Sequence, residues 1–180
     1  MAARQRRGRE EPADLVGDQP PADPVAVARE IVLRQLDVRA RTRDELERAL
    51  AKKGVPHEAG RQVLDRFTEL GLVDDAAFAE QWVEGQQRRM KSRRVLRQEL
   101  RHKGVDGDIV DEALSEVGEA DDYAAALAYG RRKAAGLAKL EPAVRYRRLM
   151  GALARRGFSS AVSHRVYREV TGDQPDDELG

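Results

Sequence analysis

An internal repeat with a period near fifty residues constrains this chain more than any other feature. It registers on Gly54, Gly104 and Gly157. Four and eight residues before each glycine stand Leu50 and Leu46, Leu100 and Leu96, and Leu153 and Leu149. Around the glycines the chain reads Lys53-Gly54-Val55, Lys103-Gly104-Val105 and Arg156-Gly157-Phe158. Nine and ten residues further on come Val63-Leu64, Ala113-Leu114 and Val166-Tyr167. Leucines four apart lie on one face of a helix, and a glycine just beyond them suits a left-handed helix end. Each unit therefore reads as a helix, a short helix ending in a basic residue and glycine, and a third helix. A triplet of this size buries little alone, so neighbouring units are expected to stack.

Helical periodicity fills the rest of the units. Ala28, Ile31, Val32 and Leu36 share one face, as do Ala59, Val63, Phe67 and Leu70, and Ile109, Val110, Ala113, Leu114 and Val117. Gly54, Gly71, Gly104, Gly118 and Gly157 each follow such a stretch and are read as left-handed C-caps. Thr42 with Glu45 has capping-box spacing, Asp74, Ser92 and Ser159 are N-cap candidates, and Pro142 suits a first helical turn. No alternating strand pattern or hairpin signal is present. The fold class that follows is all-α: a tandem array of three three-helix units, about nine helices, with disordered tails. The expected boundaries are a tail over 1–24, units over 25–73, 74–119 and 120–170, and a tail over 171–180. The first tail holds four of the seven prolines and only the apolar pair Leu15-Val16, too little to repay ordering.

Composition removes several function classes. The absence of cysteine excludes a disulfide framework, a zinc-thiolate site and a thiol nucleophile. No apolar run approaches the ~18 residues of a membrane span. The basic start, Met-Ala-Ala-Arg-Gln-Arg-Arg-Gly, lacks the apolar stretch of a secretory signal, so a cytoplasmic protein is expected. There is no phosphate-binding glycine loop, paired-histidine zinc motif or nucleophile elbow. His57, His102 and His164 read as isolated surface or partly packed imidazoles. Asp74-Asp75 and Asp121-Asp122 read as helix caps, and Phe78, Trp82, Tyr146 and Tyr167 as core. No enzyme, metal or cofactor is expected.

A net charge of +1 hides strong segregation of sign. Arg88, Arg89, Lys91, Arg93, Arg94, Arg97, Arg101 and Lys103 are opposed only by Glu99. An acidic stretch from Asp106 to Asp122 follows without a single Lys or Arg. The sign then flips at Arg131, Arg132, Lys133, Lys139, Arg145, Arg147, Arg148, Arg155 and Arg156, against Glu141 alone. Blocks this one-sided read as a stripe facing a polyanion or an acidic protein groove, rather than as solvated helix faces. Few aromatics and no base-reading motif point to phosphate contacts that are strongly salt-dependent.

The segment from Glu69 to Ala79, Glu-Leu-Gly-Leu-Val-Asp-Asp-Ala-Ala-Phe-Ala, is followed by Trp82-Val83 and the Arg88-Arg89 run. With Leu96, Glu99-Leu100 and Lys103-Gly104-Val105 behind it, this resembles the bacterial RecX family of recombination regulators. The likeness extends from about Ala26 to Val170. It is weaker in the third unit, where Glu141-Pro142 replaces the expected polar cap. The resemblance implies an elongated, curved array that binds the filament of the RecA recombinase on single-stranded DNA. It further implies restraint of RecA's ATP hydrolysis and strand exchange, and so a regulatory role in DNA repair and the SOS response.

The residues expected to touch RecA or DNA, chosen by charge and position, are Arg88, Arg89, Lys91, Arg93, Arg94, Arg97, Arg131, Arg132, Lys133, Arg145, Arg147 and Arg148. A monomer without cofactor, acting on the RecA filament and on single-stranded or duplex DNA, completes the expectation. The rival readings are a free-standing, sequence-tolerant DNA-binding helical protein and a helical adaptor whose basic blocks are incidental.

Overall fold

The structure, a computed structural model, describes residues 23–172. Among these residues there are nine helices and no strand: α1 (Pro24–Val38), α2 (Arg43–Lys52), α3 (His57–Glu69), α4 (Asp75–Gln87), α5 (Arg93–His102), α6 (Gly107–Ala113), α7 (Glu119–Ala135), α8 (Pro142–Arg155) and α9 (Ser160–Thr171). The expected tails lie mostly outside the described residues. Where they overlap them, each contributes one helical residue and its cap: Pro24 opens α1 behind Asp23, and Thr171 closes α9 before Gly172. Proline at a first helical position loses no hydrogen bond, which is why the proline-rich stretch ends in a helix start.

The helices segregate into three cores, one per triplet. Val32, Leu46, Leu50, Val63, Leu64 and Phe67 form the first. Phe78, Val83, Leu96, Leu100, Val110 and Leu114 form the second. Leu149, Leu153, Phe158, Val166 and Tyr167 anchor the third. The repeated leucines Leu46, Leu96, Leu100, Leu149 and Leu153 are fully buried, each contributing roughly 2 kcal/mol by leaving water. All the extensive helix–helix packing is made within a triplet, so the units stand in a row and meet through small junctions.

The two junctions repeat the same construction. The Thr42 cap of α2 is fully buried; its hydroxyl accepts the Glu45 N–H (3.1 Å) and donates to the Lys103 carbonyl at the end of α5 (2.6 Å). The equally buried Ser92 cap of α5 donates its backbone N–H to the Arg156 carbonyl at the end of α8 (3.1 Å). Gly104 (φ +79°) and Gly157 (φ +88°) follow those carbonyls. A Cβ on Gly104 would lie closer than 3.0 Å to the Asp44 side chain, and one on Gly157 as close to Val95 and Ser92. Left-handed backbone and close approach thus both require glycine there. Gly54 (φ +74°) has the same turn with nothing within 4 Å.

Three local expectations are corrected. Gly118 (φ −90°) is no left-handed C-cap; it is the N-cap of α7, and its N–H donates to Asp121 (2.9 Å). Its neighbours are acidic, and acidic residues favour a helix start over a helix end. The Thr42–Glu45 box is half made, because the Glu45 carboxylate turns to Arg39 and Lys103 instead. The capping role of Asp75 and Asp122 holds, but each caps a helix of the preceding unit. Asp75 accepts the Arg43 N–H (2.8 Å) and Asp122 the Arg93 N–H (2.7 Å), the first amides of α2 and α5.

Candidate partner and nucleic-acid interface

At each junction the basic residue before the glycine is held over an aromatic ring. The Lys103 ammonium lies 4.4 Å from the Trp82 ring and 2.7 Å from Glu45. Arg156 lies 4.7 Å from the Tyr129 ring and donates to the Arg89 carbonyl. Trp82 and Tyr129 occupy matching places in α4 and α7, each seven residues after the aspartate that caps the preceding unit. Burial pushes the Glu45 carboxyl up, but hydrogen bonds from Arg39 and Lys103 outweigh it, leaving the group below the usual carboxylate range. Trp82, expected in the core, packs at its edge: it stacks on Phe78, is half-buried, and Lys103 lies over both rings.

The junction aspartates behave oppositely. Burial raises Asp75 and Asp122 above the ordinary carboxylate range, despite the amide and arginine each faces. A raised folded value means that ionisation costs stability as pH rises through it. Asp122→Asn keeps an acceptor for the Arg93 N–H without the charge. It is expected to be at least as stable as the parent at pH 7, with any advantage fading as the pH falls through that raised value. Asp122→Ala strands the amide and is expected to lose about 1–2 kcal/mol. Urea melts of both variants at two pH values check the sign.

The structure sorts the twelve basic candidates into two groups. Arg88 pairs with Glu84 (2.9 Å), Lys91 with Glu99, Arg97 with Asp111 (2.7 Å) and Arg131 with Glu169 (3.0 Å). Arg93 is half-buried at the second junction, and Arg145 is half-buried in α8. The others are exposed. Arg89 and Arg94 reach the second junction, where the exposed Arg94 donates from Nε to the Gly157 carbonyl (3.3 Å). Arg132 lies 5.7 Å from the Tyr129 ring, on which Arg156 also rests. Lys133, Arg147 and Arg148 are exposed on α7 and α8.

Two residues outside the expected set join this surface. Arg155 follows Arg148 by two turns on the outer side of α8, with only Gly151 between them in the stripe. Arg156 links the two basic blocks by reaching Arg89. Both belong to the second basic block of the sequence, and Arg156 is also the basic residue before a repeat glycine. Between Ala120 and Val170 there are eleven Lys and Arg against four Asp and Glu, so the third unit carries the excess charge. Exposed ion pairs elsewhere are worth at most about 1 kcal/mol and are screened by salt.

Histidine chemistry is structural. His164, expected to be isolated, bonds Tyr146 Oη (2.6 Å) and Ser160 Oγ (3.2 Å), tying α8 to α9. Among the described residues no group of His, Asp and Glu is arranged to hold a metal ion, and no helix is long and apolar enough to cross a membrane.

Three stacked helix triplets, the third strongly basic, define a tandem helical-repeat protein. Comparison with known proteins says which one. Models of the first, second and third three-helix domains of RecX match residues 28–67, 74–114 and 119–167. The regulatory protein RecX of Thermobifida fusca is 44% identical over 170 residues, covering 94% of this chain and 91% of that one. The RecX protein of Streptomyces coelicolor is 41% identical over 160 residues, covering 88% and 85%. The crystal structure of RecX from Lactobacillus salivarius superposes with a TM-score of 0.70 at 21% identity, over 83% of this chain and 97% of that one. The chain belongs to the RecX family of regulatory proteins.

Proposed function

We propose that this protein is a negative modulator of the RecA recombinase. It binds the RecA filament on single-stranded DNA and inhibits ATP hydrolysis and strand exchange, and through these it regulates DNA repair and recombination in the cytoplasm. The observation that carries this reading is the combination of RecX membership with a charge excess that is largest in the third unit. A row of small units suits a groove between protomers, and the exposed cations suit the nearby phosphates.

Arg89, Arg94, Arg132, Lys133, Arg147 and Arg148, with Arg155 and Arg156, present the phosphate-facing surface. Arg88, Lys91, Arg93, Arg97, Arg131 and Arg145 support it, through the ion pairs and burial described above. Protomer contacts then fall to the surfaces of the other units.

Co-sedimentation tests the assignment. The protein is expected to pellet with RecA filaments on single-stranded DNA at physiological salt, and far less with either component alone. Equal binding to bare duplex in the absence of RecA would overturn it in favour of a free-standing DNA-binding protein. A binding constant that falls steeply and log-linearly with salt is expected for the phosphate component.

A further inference from the structure

The row of units has two different ends. At each internal junction a helix N-terminus, opened by a hydroxyl cap, seats on a basic-glycine turn of the next unit: α2 on Lys103-Gly104, and α5 on Arg156-Gly157. Unit one carries the same turn at Lys53-Gly54. Its closing hydrogen bonds match those of the other two: Gly54 N–H to Ala51 (3.0 Å) and Val55 N–H to Leu50 (3.2 Å), against 3.0 Å and 3.1 Å at Gly104 and Val105. Among the described residues nothing seats on it. Lys52, Lys53 and Gly54 are exposed, and the space over Gly54 is open. Lys53 also lacks the aromatic rest of Lys103 and Arg156, because Ile31 stands in α1 where Trp82 and Tyr129 stand in α4 and α7.

The far end of the row differs. Helix α8 runs for 14 residues where α2 and α5 run for 10, and it opens on Glu141-Pro142 without a side-chain cap. The additional turn occupies the place where a following unit would seat. The α8 start of a second copy therefore does not match the hydroxyl-capped starts that seat on the internal turns.

We propose that the Lys53-Gly54 turn is a docking point for the N-terminus of a helix on the RecA protomer. This rests on the function proposed above and adds the element recognised. The internal junctions define the guest's chemistry. It carries Ser or Thr at its cap, facing the Lys53 carbonyl, and, on the pattern of the Lys103 junction, an acidic side chain in its first turn, facing Lys53 as Glu45 faces Lys103. Unit one has Pro24 where the other units have Asp75 and Asp122, so it offers no carboxylate to the guest's first amide. The guest accordingly has proline at its first helical position or its own side chain on that amide.

Lys53→Glu places like charges together and is expected to weaken filament binding about tenfold. Arg29→Glu, the same charge change on the exposed side of α1, is expected to change binding less than twofold. The chain has no cysteine, so Lys53→Cys can carry a single benzophenone. In the filament complex, cross-linking from position 53 to the first turn of a RecA helix is the expected result. Cross-linking to DNA, to residues 1–22 of this chain or to a second copy overturns the proposal. So does co-sedimentation with filaments without any RecA adduct. Absence of co-sedimentation by the unmodified protein instead removes the RecA reading itself, and this inference with it.

Discussion

Replacing Gly157 by alanine is expected to destabilise the protein by about 3 kcal/mol, and the same change at Gly54 by only about 1 kcal/mol. Both residues hold a left-handed backbone, which costs an alanine roughly 1–2 kcal/mol. At Gly157, unlike Gly54, the new Cβ also meets a neighbouring unit, against Val95 and the fully buried Ser92. Overpacking of this kind adds about 1–3 kcal/mol. Gly104→Ala is expected to cost about as much as Gly157→Ala, because its Cβ meets the Cβ of Asp44 in the neighbouring unit as well as the carboxylate, and a Cβ cannot swing aside. Urea unfolding of the three variants reads the order directly. Equal losses at all three positions would mean that the units do not stack as described.

Reversing the outer charges of α8, as Arg147→Glu, Arg148→Glu and Arg155→Glu together, is expected to weaken filament binding about a hundredfold at unchanged helicity. The three side chains are exposed and take no part in the three cores, so the fold has little reason to respond. Losing three phosphate contacts should also lower the salt slope by about 2 for a single strand. The corresponding change of Arg93, Arg94 and Arg97 mixes effects. Arg94 holds the Gly157 carbonyl and Arg97 holds Asp111, so loss of binding there would accompany a loosened junction. A hundredfold loss with an unaltered slope would place the α8 arginines against protein rather than phosphate.

The fold was legible because its signals are local. Leucines at fixed distances before a glycine, and hydroxyl or carboxylate caps before each short helix, follow from helix geometry alone. Gly118 misled because a glycine after an apolar stretch suits either a helix end or a helix start, and the acidic residues behind it decided for the start. The division of the basic blocks was not legible. Whether Arg97 faces water or Asp111 depends on how two helices pack, and Arg89 meets Arg156 only because two units stack. The reach of Asp75 and Asp122 to the preceding unit was hidden for the same reason. The departure at Glu141-Pro142 was visible as a break in the pattern. Its meaning, one more helical turn at the end of the row, required the length of α8.

The most direct measurement is ATP hydrolysis by the cognate RecA on single-stranded DNA, titrated with this protein at fixed physiological salt. Loss of hydrolysis at well below one copy per RecA protomer is expected, and adding the protein before or after filament assembly separates blocked growth from stalling. Undiminished hydrolysis with the protein in excess, under conditions where it sediments with the filament, would contradict restraint of RecA by this chain.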